Sequence, residues 1–269
     1  MTNKGNPVLT ESVDGILIIT INRPQARNSI NTATAEAIGL ALDELDNKAD
    51  LTAGIITGAG GFFCAGMDLK ALLAGEKPSI PVRGFAGIVE KPSEKPLIAA
   101  VEGYALAGGF EIALACDVIV ASREAKFGLP EVTRGLVAAG GGLMRLPQRV
   151  PYHLAMEWAL TGGLMDAEEA YRASLVTHLT NPGAALDKAL EIATRIVANG
   201  PMAVRATKKI IVQSQDWTLE ESFQRQRQQG GAGRESRANR TRHCRRACPA
   251  GWDVDDATRS WPGQMAADR

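Results

Sequence analysis

A surplus of charge of one sign is missing from this sequence. Lys+Arg and Asp+Glu both total 30 in 269 residues and the formal net charge is +0. That removes the whole-chain electrostatic case for nucleic acid or an acidic membrane as partner. Cysteine is also scarce. Four residues in a chain of this length make no disulfide framework, and Cys64 and Cys116 lie in apolar stretches where a reduced core thiol is expected. Long hydrophobic runs are absent too: the most apolar stretch, 97–122, is broken by Glu102, Glu111 and Asp117, and residues 1–15 contain no apolar signal region. A cytoplasmic protein is expected. What is present, 45% hydrophobic and 22% charged residues, suffices for one large domain with or without an appendage, and points to a small-molecule partner.

Short β-branched segments, Val8 to Ser12 and Gly15 to Ile21, flank Asp14-Gly15 and predict a hairpin. Thr32 to Asn47 places Ala35, Ile38, Ala41, Leu42 and Leu45 on one helical face. A strand, loop, helix order then recurs. Ala53 to Thr57 leads through a glycine-rich loop to a short helix near Leu69. Leu97 to Val101 leads through a turn over Gly103 to Gly109 into a helix over Phe110 to Ala115, and Asp117 to Ala121 is another strand. From about Pro151 the pattern reads as helical, through Leu154 to Leu160, Ala184 to Ala198, Met202 to Gln213 and Leu219 to Arg227. Gly75 to Pro96, with four prolines among Lys and Glu, predicts a mobile excursion or pocket-lining lid. Gln228 to Arg269 is rich in Arg and lacks Lys, Leu, Ile and Phe, so it cannot supply a normal core.

Two glycine motifs follow strands and open helices. In Phe63-Cys64-Ala65-Gly66-Met67-Asp68 and in Gly103 to Glu111, the first N–H groups of a helix lack internal partners and can hold an anionic oxygen. Each motif alone also fits a structural turn; one N–H from each would make an oxyanion hole. Glu111 lies one helical turn past Gly108 in an otherwise apolar run, and Glu131 follows Phe127-Gly128-Leu129-Pro130. A structural, hydrogen-bonded glutamate fits position 111. Alternatively, the two carboxyls form an acid and base pair, with burial raising both toward neutrality.

Five motifs occur in order: Asn22-Arg23-Pro24 through Asn28; Cys64-Ala65-Gly66-Met67-Asp68-Leu69; Gly103-Tyr104-Ala105 with Gly108-Gly109-Phe110-Glu111; Cys116-Asp117; and Phe127-Gly128-Leu129-Pro130-Glu131. Together they resemble the crotonase (enoyl-CoA hydratase/isomerase) superfamily, and its enoyl-CoA hydratases above all, from about residue 8 to 227. Gly141-Gly142 with Arg145-Leu146-Pro147, Leu160-Thr161-Gly162 and 166–170 agree with it. The resemblance implies an α/β fold, a crotonase-like spiral of repeated β-β-α units over 1–200, then a helical trimerisation region over 201–227, in trimers commonly stacked as hexamers. It implies an acyl-CoA substrate, no separate cofactor and no metal. The Met67 and Gly108 N–H groups would polarise the thioester carbonyl, with Met67, Asp68, Leu69, Lys70 and Gly108 lining the site. Glu111 would orient and deprotonate water, and Glu131 would exchange a proton with the α-carbon.

The sequence departs from the family pattern at Ala107, where a third Gly is usual, at Ala138, where Pro is usual, and at Met67, often a small residue. The larger departure is 228–269, an atypical Arg-rich segment expected to be disordered, whose abrupt onset reads as a frame change in the coding sequence. His243, Cys244 and Cys248 there are too loosely spaced for a zinc site; His153 and His178 read as structural. Three functions remain open: enoyl-CoA hydration, favoured by the presence of both glutamates; enoyl-CoA isomerisation or another reaction on the same scaffold; and non-catalytic acyl-CoA binding.

Overall fold

The structure is a computed structural model that describes residues 5–232. These fall into two compact units that divide between Thr194 and Arg195.

In the first unit, Asp14 and Gly15 both take positive φ, 47° and 83°, and turn β1 (Val8–Val13) back on β2 (Ile16–Ile21). α1 (Thr32–Asn47) starts at Asn31, whose side chain accepts the Thr34 N–H at 3.1 Å, and it buries Ala35, Ile38, Ala41, Leu42 and Leu45. There follow β3 (Ala53–Gly58), α2 (Leu69–Leu73), the two-residue strands β4 (Ser79–Ile80) and β5 (Gly84–Phe85), β6 (Leu97–Val101), β7 (Tyr104–Leu106), α3 (Gly108–Ala115), β8 (Val118–Ser122) and β9 (Lys126–Gly128). A 3-10 turn over Pro130–Arg134, α4 (Gly142–Arg149), α5 (Tyr152–Thr161), β10 (Met165–Asp166), α6 (Ala167–Arg172), β11 (His178–Thr180) and α7 (Ala185–Val197), whose last three residues fall in the second unit, follow.

The main sheet runs β1-β2-β3-β6-β8-β11, antiparallel only between β1 and β2. Ile18, Ile55, Ile98 and Val118 stand side by side across four of its strands, so near-continuous apolar runs are what this register demands. A second sheet, β10-β9-β7, takes the chain after its turn out of the first. Each repeat is therefore a strand in one sheet, a short strand in the other and a helical turn, the expected crotonase-like spiral.

Differences from the sequence reading are local. The turn expected over Gly103 to Gly109 contains β7, and α3 begins at Gly108 rather than Phe110, because backbone pairing with Cys64 and β9 is invisible in side-chain pattern. The expected helical run after Pro151 also contains β10 and β11, too short for a periodicity to register. Residues 75–96 are no loose excursion. Phe85, Ala86, Ile88 and Val89 are buried, Arg83 pairs with Asp43 at 2.5 Å, and Glu76 accepts the Thr32 N–H at 3.0 Å.

In the second unit, α8 (Pro201–Gln213) opens with Pro201 and is followed by α9 (Leu219–Ala232). The Arg225 guanidinium lies 5.9 Å from the centre of the Trp217 ring, and the Gln229 side chain donates to Gln213 at 2.7 Å. The helix expected to end at Arg227 continues to Ala232. The rest of the Arg-rich segment, with His243, Cys244 and Cys248, lies outside the described residues. Among the described residues no helix is long and apolar enough to cross a membrane, and no group of three His, Cys, Asp or Glu is placed to hold a metal ion.

Candidate active site

Successive turns of the spiral deliver the site. After β3 the chain reaches Cys64, whose N–H donates to Tyr104 O at 2.8 Å and whose carbonyl accepts the Leu106 N–H at 3.0 Å. After β6 it forms β7, and after β8 it forms β9, the neighbour of β7. Met67, Gly108 and Glu131 lie two or three residues past Cys64, Leu106 and Gly128, which pair turn to turn with Ala105, Gly128 and Leu106. Backbone pairing thus sets them side by side.

On the first turn, Ile30 N–H donates to Gly66 O at 2.8 Å and Asp68 N–H donates to Ile30 O at 2.9 Å. These bonds straddle Met67 and leave its N–H without an acceptor among the described residues. The Asp68 carboxylate caps α2, accepting from Lys70 and Ala71 N–H, and pairs with Arg23 at 2.8 Å. Burial works against its charge, but Arg23 and those two N–H groups together hold its carboxyl below the usual range. Leu69 and Lys70 form the exposed first turn of α2.

On the second turn, Gly108 is the first residue of α3, and its N–H also has no acceptor among the described residues. A Cβ on Gly66 would stand 3.1 Å from Gly108 N, so the two donor loops are in van der Waals contact. Phe85 covers Gly108 so closely that a Cβ there would meet the ring at 2.4 Å. Ala107, just ahead, has φ 53° and ψ −127°, a conformation suited to the Gly usual at this place.

Glu111 is 3% exposed. Its Oε1 accepts the Gly142 N–H at 2.9 Å, and a Cβ on Gly140 would meet its Oε2 at 2.4 Å, so only Gly leaves the carboxylate room. Burial raises its carboxyl above the ordinary range and the charge of Glu131 adds to this, against the N–H groups of Gly142 and Gly140 and the charge of Arg145. Half-buried Glu131 is likewise raised by burial, and its Oε2 is buried without a hydrogen-bond partner. Cys64 is a packed thiol: burial pushes it up to about 12.

The structure therefore brings Met67, Gly108, Glu111 and Glu131 together, and places Asp68 as a cap and ion-pair partner on the edge of the first donor. Chemically, two neighbouring N–H donors can take up charge on a carbonyl oxygen while two carboxyls of raised affinity for protons exchange them nearby. Sequence reasoning missed Phe85 and the tether of Arg145. A lone aromatic in the Pro-rich segment was the available signal for Phe85. Arg145 was marked only within the Arg145-Leu146-Pro147 stretch of the resemblance, and its tether was not, because its partners are backbone carbonyls.

The spiral, its two donor loops and its two carboxyls agree with the crotonase resemblance of the sequence. Residues 11–236 match the family model described as enoyl-CoA hydratase/isomerase, and the chain belongs to that family. It is 43% identical over 228 residues to enoyl-CoA hydratase EchA19 of Mycobacterium tuberculosis, covering 81% of this chain and 85% of that protein. It is 43% identical over 212 residues to a carnitinyl-CoA dehydratase of Salmonella arizonae, covering 77% and 81%. Among solved structures, enoyl-CoA hydratase EchA1 from Mycobacterium marinum superposes with a TM-score of 0.82 at 57% identity, over 83% of this chain and 88% of that one.

Proposed function

We propose that the chain hydrates 2-enoyl-CoA thioesters. The thioester oxygen lies between the N–H groups of Met67 and Gly108, with Met67 to Lys70 and Gly108 lining the CoA and thioester path. Glu111 accepts a proton from water as its oxygen bonds to the β-carbon. The electron pair of the double bond moves into the thioester, and the donors and the N-terminal dipole of α3 take up the oxyanion's charge. Glu131 then delivers a proton to the α-carbon, so that one water is added across the 2,3 bond. The observation that carries this reading is that the buried Glu111 and half-buried Glu131 carboxyls sit on the turns beside two N–H donors without an acceptor among the described residues. No cofactor beyond the substrate's own CoA enters the scheme, and the working form in this proposal is a homotrimer or a dimer of trimers.

The name of the Salmonella relative supports a second reading, dehydration of carnitinyl-CoA by the same groups run in reverse. The test is loss of conjugated-thioester absorbance with 2-enoyl-CoA of increasing chain length, beside carnitinyl-CoA dehydration and 3-enoyl-CoA isomerisation. Fastest turnover of a 2-enoyl-CoA supports hydration. Faster carnitinyl-CoA dehydration replaces it with the second reading, and faster isomerisation replaces both. Acyl-CoA binding without any turnover would make the chain a binding protein.

A further inference from the structure

Arg145 is a half-buried cation that forms no ion pair among the described residues. A partly desolvated guanidinium is costly unless polar groups surround it. Its partners are two carbonyls: Nη2 donates to Val89 O, and Nη1 donates to Gly140 O at 3.3 Å. These carbonyls belong to separate segments. Val89 lies four residues past Phe85, the ring that covers Gly108, and Gly140 opens the glycine run whose Gly142 N–H holds Glu111.

We infer that Arg145 is a positioning residue that locks the Phe85 segment to the Gly140–Gly142 loop and holds a cation beside Glu111. Its planar fork reaches the two carbonyls from two different nitrogens, Nη1 and Nη2; a lysine ammonium on a shorter stem offers a single nitrogen in their place. The groups that act on Glu111 come from three directions: Glu131 from the Pro130–Arg134 turn, Arg145 from α4, and the N–H groups of Gly140 and Gly142. Arg149 and Cys116 act on Arg145 in turn. Of these, Arg145 is the side chain that favours the charged form of Glu111. Without it, burial and Glu131 push the carboxyl further up, opposed by the two N–H groups alone.

The inference rests on the hydration reading in treating Glu111 as the base and in testing the tether by turnover; the influence of the Arg145 charge on Glu111 is tested without turnover. The experiment is a carboxyl 13C NMR titration of the full chain labelled at Glu, with the Glu111 signal assigned by its loss in Glu111→Gln. Arg145→Gln moves the Glu111 midpoint to higher pH, and Arg145→Lys leaves it near the parent value. In hydration assays, Arg145→Gln lowers kcat about tenfold or more, as misplaced groups do. Arg145→Lys raises KM because one nitrogen on a shorter stem replaces the two that reach Val89 O and Gly140 O. An unmoved midpoint in folded Arg145→Gln overturns the inference, whether or not the parent hydrates enoyl-CoA. Parent-like kcat and KM in Arg145→Lys overturn the tether even if the Gln variant fails to fold. A parent without hydratase activity counts against the functional reading alone, and the NMR midpoints still decide this one.

Discussion

Gly142 donates its backbone N–H to Glu111 Oε1 at 2.9 Å, across 31 residues of chain. The bond orients a carboxylate that burial would otherwise leave free to turn, and it competes with the pull of burial on the proton. The coupled pair Glu111 and Glu131 is expected to give a bell-shaped pH profile of kcat/KM whose limbs lie above the ordinary carboxylate range and belong to the pair. Glu111→Gln and Glu131→Gln each lower kcat by about 10² to 10⁴, with affinity for a saturated acyl-CoA retained. Removing the Glu131 charge also takes away one of the influences that raise Glu111. A residual acid limb in Glu131→Gln should therefore shift to lower pH; a shift to higher pH would contradict the pairing.

Stability moves the other way. The Glu131 carboxyl is raised on folding, so its contribution is fully present below the unfolded carboxyl range and is lost as pH rises through the raised value. Glu131→Gln, which puts a neutral amide where the carboxylate is desolvated, is expected to raise Tm at neutral pH by about 2 °C, what roughly 1 kcal/mol gives in a chain of this size. At pH about 4 the gain should vanish, since Glu131 is then protonated. Thermal melts at the two pH values read this directly, and an equal gain at both would point to packing instead.

Phe85 and Gly108 make a paired steric prediction. Gly108→Ala keeps the backbone donor but drives a methyl to within 2.4 Å of the Phe85 ring, so the helix start must shift. Activity is expected to fall by about 10² to 10³, the cost of losing an aligned oxyanion donor. Phe85→Ala in the same chain removes the collision and should restore much of the lost kcat. Failure of the second substitution to rescue would mean that the methyl acts on substrate directly.

The sequence made the repeats and their chemistry legible because glycines and acids sit at fixed offsets from apolar strands. Glu111, Glu131 and the two donor loops could be singled out from position, and the Met67 and Gly108 N–H groups from the family resemblance. The contacts that orient them could not. Gly142 reaches Glu111, Arg145 reaches Val89 and Cys64 pairs with Ala105 through backbone groups that every residue type carries. The segment 75–96 was misread as mobile for a related reason. Its prolines signal irregular backbone, while its burial depends on Gly108 and α1 offering space for Phe85 and an N-terminus for Glu76.

Asp68 flanks the Met67 donor, caps α2 and pairs with Arg23, so its three tasks can be separated. Asp68→Asn keeps a capping oxygen and loses the charge; Asp68→Ala loses both and is expected to be less stable than the Asn variant by about 1 kcal/mol. The folded carboxyl is held below its ordinary value, so its contribution is present above the unfolded Asp range and disappears as pH falls through the lowered value. Denaturant melts of parent and Asp68→Asn should thus converge in strong acid. Both variants loosen the loop carrying Met67 N–H and should lower kcat about tenfold, with a smaller effect on KM; an effect on KM alone would place Asp68 in binding rather than in support of the donor.

Ala107 carries strain that its neighbours hold in place. Its φ of 53° with ψ of −127° is a Gly conformation, and its N–H is fixed to Gly128 O at 2.9 Å while Gly108 begins the helix. Such backbone costs on the order of 1 to 3 kcal/mol in a residue with a Cβ. Replacement by Gly relieves it but adds freedom to the unfolded chain, about 0.4 to 1 kcal/mol in the opposite sense. Ala107→Gly should therefore be more stable by roughly 1 kcal/mol, a rise in Tm of about 2 °C. Because the Gly108 N–H keeps its place, kcat should change by less than about twofold. A lower Tm would show that the Ala107 methyl contributes packing that outweighs its strain, and a large change in kcat would show that the strained turn itself aims the donor.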